Sequence, residues 1–301
     1  MREIKSVLCP VDFSDASAHA IDQAIAFAAS SKAAITALHV QTPASVALPG
    51  LPVLEALEVD PSRLQADMAA CFQRATDAGI RVDVVVDTGQ PAARILERAA
   101  ALSAGVIVMG THGASGFQHL VLGSVTEKVV RKATCPVMTV PPHARATSTL
   151  PFRRVLCPVD FSDPSLAALL AARSLAGQSA SALTVLYVVE WPWREPPAPV
   201  AADLPPAQAE ALAEYRRYVE NSAMARLEEL THEAIEERLP PTLCVRHGRP
   251  WVEILRVAAE DRADLIVMGV HGRNGLDMTL FGSTTNHVVR QATCPVLTLR
   301  Q

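Results

Sequence analysis

A chain of 301 residues that is 50% hydrophobic and only 4% aromatic is long enough for two cores of ordinary size and too poor in rings for base-stacking platforms. Its 27 basic and 31 acidic side chains leave a net charge of −4 with no basic block, which argues against a nucleic-acid partner. No apolar run reaches the ~20 residues that span a bilayer, and the opening Met1-Arg-Glu-Ile-Lys-Ser has no signal-peptide pattern, so a cytoplasmic protein without a membrane partner is expected.

The elements alternate from the start. Residues 4–9 read as a short apolar strand that turns at Pro10 to Ser14. Ser14 is an N-cap candidate for a helix through about Ser30, with Ala20, Ala24, Phe27 and Ala28 on its inner side. A second strand is expected over Ala33 to Val40. A looser stretch follows, then a helix over 62–78 and a third strand over 81–86. Pro91 suits the first turn of a third helix. Val106 to Met109 is the fourth strand, a helix runs from Ser124 to about Lys132, and Pro136 to Val140 is the fifth strand. Continuously apolar strands alternating with helices predict a parallel sheet covered on both faces.

The second half repeats this order. Val7-Leu-Cys-Pro-Val-Asp-Phe-Ser-Asp15 recurs as Val155-Leu-Cys-Pro-Val-Asp-Phe-Ser-Asp163, and Thr88-Gly-Gln-Pro91 is matched by His247-Gly-Arg-Pro250. The change of offset places 11 additional residues near 190–215. Strands are expected near 154–157, 182–189, 242–246, 264–268 and 295–299, with a linker at 142–152 between a first domain at 1–141 and a second at 153–301. The proline-rich run from Trp191 through Pro206 reads as unable to continue a sheet or a helix, and suits a flap or a spacer equally. Six cysteines without a CxxC pair read as small buried hydrophobes in a reducing compartment.

The chemistry lies in a duplicated glycine pattern. Met109-Gly110-Thr-His-Gly113 is followed by nine residues and Gly123-Ser124; Met268-Gly269-Val-His-Gly272 is followed by nine residues and Gly282-Ser283. Each copy leaves a buried strand and enters a helix whose free amides and positive dipole end favour a phosphate. Glycines without a Cβ let the backbone approach a ligand, or simply permit tight turns. Ser124 could cap its helix or donate to a phosphate oxygen, and Ser283 repeats it. Asp12 and Asp160, just past the first strand of each half, could hold a ribose hydroxyl or a phosphate-bound Mg²⁺, or could cap the following helix. His112 and His271 could contact phosphate when protonated or brace the loop. Neither GxxxxGK[ST] nor GxGxxG is present, so no lysine reaches a γ-phosphate, and binding with slow or no turnover is the natural reading.

Together these motifs resemble the universal stress protein family, in a tandem form with two such domains. Its Gly-x2-Gly-x9-Gly-[Ser/Thr] pattern is met in full by Gly110, Gly113, Gly123 and Ser124 and by Gly269, Gly272, Gly282 and Ser283. The resemblance implies α/β domains, each doubly wound on a five-stranded parallel sheet of order 3-2-1-4-5, that bind ATP between strands one and four. Adenine and ribose would meet Pro10, Val11, Asp12, Val40 and Met109 in the first domain, and Pro158, Val159, Asp160, Val188 and Met268 in the second. Phosphates would meet the glycine loops with Ser124 and Val125, or Ser283 and Thr284. The family also dimerises through its last strand, so the two last strands are expected to pair within one chain as a pseudo-dimer, with homodimerisation beyond that. Arg273 and Thr284, where the first half has Ala114 and Val125, suggest tighter ATP binding at the second site. The function implied is a regulatory, ATP-binding stress-response protein; a slow ATPase and a ligand-free scaffold of the same fold are the alternatives.

Overall fold

The computed structural model describes residues 4–42, 45–46, 54–55, 60–111, 122–142, 144, 152–190, 205–232, 240–270 and 282–300. In the first half these form β1 (Ser6–Pro10), α1 (Asp15–Ser31), β2 (Ala34–Gln41), the two-residue strands β3 (Ser45–Val46) and β4 (Leu54–Glu55), α2 (Pro61–Cys71), α3 (Gln73–Asp77), β5 (Val82–Thr88), α4 (Pro91–Ala101), β6 (Val106–Gly110), α5 (Ser124–Lys132) and β7 (Val137–Val140). The second half forms β8 (Arg154–Val159), α6 (Asp163–Ser179), β9 (Ala182–Val189), α7 (Pro206–Thr231), β10 (Thr242–His247), α8 (Pro250–Glu260), β11 (Leu265–Gly269), α9 (Ser283–Gln291) and β12 (Val296–Leu299).

All the main strands join one ten-stranded sheet in the order β10-β9-β8-β11-β12-β7-β6-β1-β2-β5. Within each half the order is 3-2-1-4-5 and every pairing is parallel. The halves meet where β12 pairs antiparallel with β7, Val296 opposite Thr139 and Thr298 opposite Val137. Two reciprocal bonds reinforce that seam: Thr139 Oγ1 donates to the Val296 carbonyl at 3.2 Å, and Thr298 Oγ1 to the Val137 carbonyl at 3.0 Å. An exposed β7 or β12 would present unpaired backbone groups; each covers the other.

Local chemistry explains the elements. The Ser14 Oγ accepts from the Ser17 amide at 3.2 Å and so caps α1. Lys32, in the left-handed region at φ 53°, ends it. Small residues at four-residue spacing, Ala16, Ala20, Ala24 and Ala28, face the sheet from α1, and Ala168, Ala172 and Ala176 repeat that row in α6. Such rows let a helix lie close to the strands.

The alternation of side chains along the strands then divides the core. Val7 and Cys9 join a cluster that runs through both halves under α1, α2, α6 and α7 and includes Phe72, Met138, Leu227 and Leu297. On the opposite face lie two separate clusters, each with one residue lent by the other half: Leu8, Ile95, Ile107 and Val129 under α4 and α5 with Val270, and Leu156, Ile254, Ile266 and Val288 under α8 and α9 with Leu122.

One expectation needs correction: of the six cysteines read as buried, Cys71 is exposed and Cys135 and Cys244 are half-buried. The looser stretch after β2 contains β3 and β4, which pair antiparallel. Pro206, where the proline-rich run ends, opens the 26-residue α7, as the first turn needs no amide from a proline. The remainder of the expected flap, 191–204, lies outside the described residues. Among the described residues no helix is long and apolar enough to cross a membrane.

Candidate functional site

In each half the first and fourth strands lie side by side: Val7 opposite Val106 and Leu8 opposite Ile107, and in the second half Val155 opposite Leu265 and Leu156 opposite Ile266. Their connections leave on opposite faces, α1 and α6 on one and α5 and α9 on the other. The carboxyl ends of these strands are therefore where strand order reverses and where open α/β sheets accept ligands.

One wall is the turn after the first strand. The Val11 amide donates to the Leu38 carbonyl at 2.8 Å, extending the ladder past Pro10. The Asp12 carboxylate accepts from the Ser14 amide at 3.1 Å and the Ser14 hydroxyl at 2.6 Å, and from the Ser17 hydroxyl. Asp160 does the same with the Ser162 amide, at 3.0 Å, and the Ser162 hydroxyl. In this structure both carboxylates thus organise the entry to the following helix. Between each pair, Phe13 and Phe161 occupy the left-handed region at φ 61° and 63°, a conformation that costs a bulky residue of order 1–3 kcal/mol and gathers at functional sites.

The other wall is the end of the fourth strand and the start of the helix after it. A Cβ on Gly110 would come within 2.9 Å of Ala16 Cβ and 3.0 Å of the Ala16 backbone; on Gly269 it would meet Pro164 at 2.9 Å. These two glycines are required by the first turn of α1 and α6, so their immediate reason is packing. The Gly110 carbonyl accepts from Thr126 Oγ1 at 2.8 Å, and Gly269 from Thr285 Oγ1 at 2.9 Å, which ties the first turn of α5 and α9 to the strand end. Gly123 and Gly282 occupy the N-cap positions, without a side-chain cap. Ser124 and Ser283 are therefore the first helical residues, and both are exposed. The amides at 124–126 and 283–285 have no carbonyl a turn earlier within their helices.

Of the expected contacts, Pro10, Val11, Asp12, Val40, Met109, Gly110, Gly123, Ser124 and Val125 gather at these ends, and Pro158, Val159, Asp160, Val188, Met268, Gly269, Gly282, Ser283 and Thr284 repeat them. Met109 belongs to the cluster against which Val40 and Val125 pack, and Met268 shares its cluster with Val188. Gly113, Gly272, Arg273, His112 and His271 lie outside the described residues. The described residues contain no group of three or more His, Cys, Asp or Glu side chains that could hold a metal ion.

Sequence reading missed the aromatic surroundings, although the repeat offsets point at them. His39 Nδ1 lies 2.8 Å from the Val11 carbonyl, and its ring is 5.0 Å from Phe13. Its counterpart Tyr187 is 4.8 Å from Phe161, which also carries the Arg226 guanidinium 4.0 Å above its ring. Beside the second helix start, Trp251 stacks on His287 at 4.8 Å, and His287 Nδ1 is 2.7 Å from the Ser283 carbonyl; the first half has Ala92 and Lys128 there.

Comparison with known proteins agrees along the whole length. The model of the universal stress protein family matches residues 3–141 and again 151–300. A universal stress protein of Bacillus subtilis is 32% identical over 143 residues, which are 44% of this chain and 97% of that protein. One of Mycolicibacterium smegmatis is 28% identical over 307 residues, 98% of this chain and 96% of the relative. The crystal structure of a universal stress protein from Archaeoglobus fulgidus shares the fold with a TM-score of 0.65 at 22% identity, covering 100% of this chain and 99% of that one.

Proposed function

The chain belongs to the universal stress protein family, and on that premise we propose that it is a cytoplasmic, regulatory stress-response protein that binds ATP at two sites with little or no turnover. One observation carries the reading. At the switch point of each half, a strained Asp-Phe-Ser turn faces a helix start whose N-cap is glycine and whose first residue is an exposed serine. Free amides at the positive end of a helix suit a polyphosphate, and the apolar wall of Val40 and Met109, or Val188 and Met268, suits a purine.

In this reading Pro10, Val11 and Asp12 flank the ribose at the first site, with Gly110, Gly113, Gly123, Ser124 and Val125 around the phosphates. Pro158, Val159 and Asp160, then Gly269, Gly272, Gly282, Ser283 and Thr284, take these roles at the second, with Arg273 adding a charge. Mg²⁺ would enter with the nucleotide, since it binds through phosphates and one or two carboxylates, which fits Asp12 and Asp160. It would screen phosphate charge. The sequence offers no lysine of the GxxxxGK[ST] type, which supports slow turnover. We place the domains at 1–141 and 153–301, their union through β7 and β12 standing in for a dimer contact, and a homodimer of whole chains beyond it.

Mass spectrometry of nucleotide released from the denatured protein is expected to find ATP. Ser124→Asp and Ser283→Asp, which set a negative charge at each helix start, should each abolish one of two sites in calorimetric titration. A purified protein that carries no nucleotide and takes up none would reject the proposal, and fast steady release of phosphate would replace it with an ATPase.

A further inference from the structure

The second half reaches into the helix on which the first half's phosphate site is built. Helix α5 is nine residues long, about 13 Å at the usual rise; it starts at Ser124 and ends beside the seam. Its last intrahelical bond runs from the Ala133 amide to the Val129 carbonyl, so the later carbonyls have no partner within the helix. One of these, Arg131, accepts from the guanidinium Nη1 of Arg300, which follows β12 in the other half. A cation at a helix C-terminus both fills an orphan carbonyl and opposes the negative dipole end.

The seam is crossed twice more. Val270, at the foot of the second glycine loop and 2% exposed, belongs to the first half's cluster with Val129, Ala133 and Val137. Leu122, at the foot of the first loop and also 2% exposed, belongs to the second half's cluster with Val288, Ala292 and Cys294. Because β7 and β12 are antiparallel, the ligand end of one half lies against the rear end of the other. Each phosphate helix therefore ends near the foot of the opposite loop. The arrangement is not symmetric in charge: the repeat equivalent of Arg300 is Pro141, which offers no donor to α9.

We infer that Arg300 is a positioning residue for the first half's phosphate site, acting from the second half through α5. The inference rests on the nucleotide reading of that site. It also opposes the expectation that Arg273 makes the second site the tighter one, since Arg300 supports the first alone.

With Ser283→Asp silencing the second site, Arg300→Gln should weaken ATP binding at the first by roughly two- to five-fold, the loss expected for one charge at a helix end. Arg300→Lys, which keeps the charge and a donor, should recover most of it. With Ser124→Asp silencing the first site, Arg300→Gln should leave the second site's affinity unchanged, although Arg300 belongs to that half. Equal losses at both sites, or none at the first, would overturn the inference. Amide hydrogen exchange in the nucleotide-free protein decides separately. Arg300→Gln should speed exchange at residues 128–132 of α5 and not in α9; unchanged exchange there refutes the inference whatever the protein binds. Faster α5 exchange in a protein that binds no ATP would refute the nucleotide reading alone.

Discussion

Gly110 sits in a site expected to bind phosphate, yet what forbids a side chain there is protein. Its missing Cβ would press on both the side chain and the backbone of Ala16, and backbone cannot yield as a flexible side chain does. Gly110→Ala should therefore cost about 1–3 kcal/mol of stability, as overpacking does, read as a lowered Tm in nucleotide-free protein. Gly177 is the contrast: it lies within α6 and nothing surrounds its Cβ position within 4 Å. Gly177→Ala should stabilise by about 0.5–1 kcal/mol through helix propensity and a less free unfolded chain. The thiols divide in the same way by environment. Burial pushes Cys9 and Cys157 far above the ordinary thiol range, and burial with the nearby Asp264 carboxylate pushes Cys294 up to about 12. A folded pKa above the unfolded 9.0 means that stabilisation is complete below pH 9 and lost as pH rises towards 12. Cys294→Ala should make that alkaline limb shallower in denaturation measured from pH 8 to 11, with Cys9 and Cys157 supplying what remains. In native protein the exposed Cys71 should react first with a thiol reagent, while Cys9, Cys157 and Cys294 wait for unfolding.

At the scale of elements, the two halves differ most in the helix that follows their second strand. The first half uses the broken pair α2 and α3, which ends its first piece at Cys71; the second uses the unbroken α7 of 26 residues. Through Arg226, α7 lies over the half-buried Phe161, whereas Phe13, beside His39, is 44% exposed. The strained turn of the second half is thus the better supported. Arg226→Ala should lower stability by about 0.5–1 kcal/mol, the worth of an exposed cation–π contact, and Arg226→Lys should retain part of it. If both substitutions were silent in thermal unfolding, Tyr187 and the core would account for the turn alone.

For the whole molecule the seam decides behaviour. One hydrophobic cluster passes from Val7 to Leu299 without dividing between the halves, and β7 and β12 make the sheet continuous. Two domains that share a core and a sheet should unfold together, so calorimetry should record one transition; two resolved transitions would show the halves to be independent. Thr139→Val and Thr298→Val each delete one of the mirrored hydroxyl bonds and should each cost about 1 kcal/mol, by nearly equal amounts. The same continuity gives Arg300 its reach, because a guanidinium on one half can hold a helix of the other only across a fixed seam.

Much of this was open to inspection in the amino-acid order. Apolar runs of strand length, alternating with helices announced by the Ser14 cap and by Pro91 and Pro250, determined a doubly wound parallel sheet, and the repeated glycine spacing determined that there are two such halves. Local propensity and capping act over a few residues, so they leave their mark in the chain itself. The repeat also marked Asp12, Ser124 and their counterparts as site candidates. What the tertiary structure alone decided depends on residues far apart in sequence. Gly110 is reserved for Ala16, the Asp12 carboxylate is engaged by Ser14 and Ser17, Phe161 is covered from α7, and Arg300 holds a carbonyl 169 positions earlier. No periodicity encodes such contacts. They exist only once the sheet has set its strand order and the seam has turned one half to face the other.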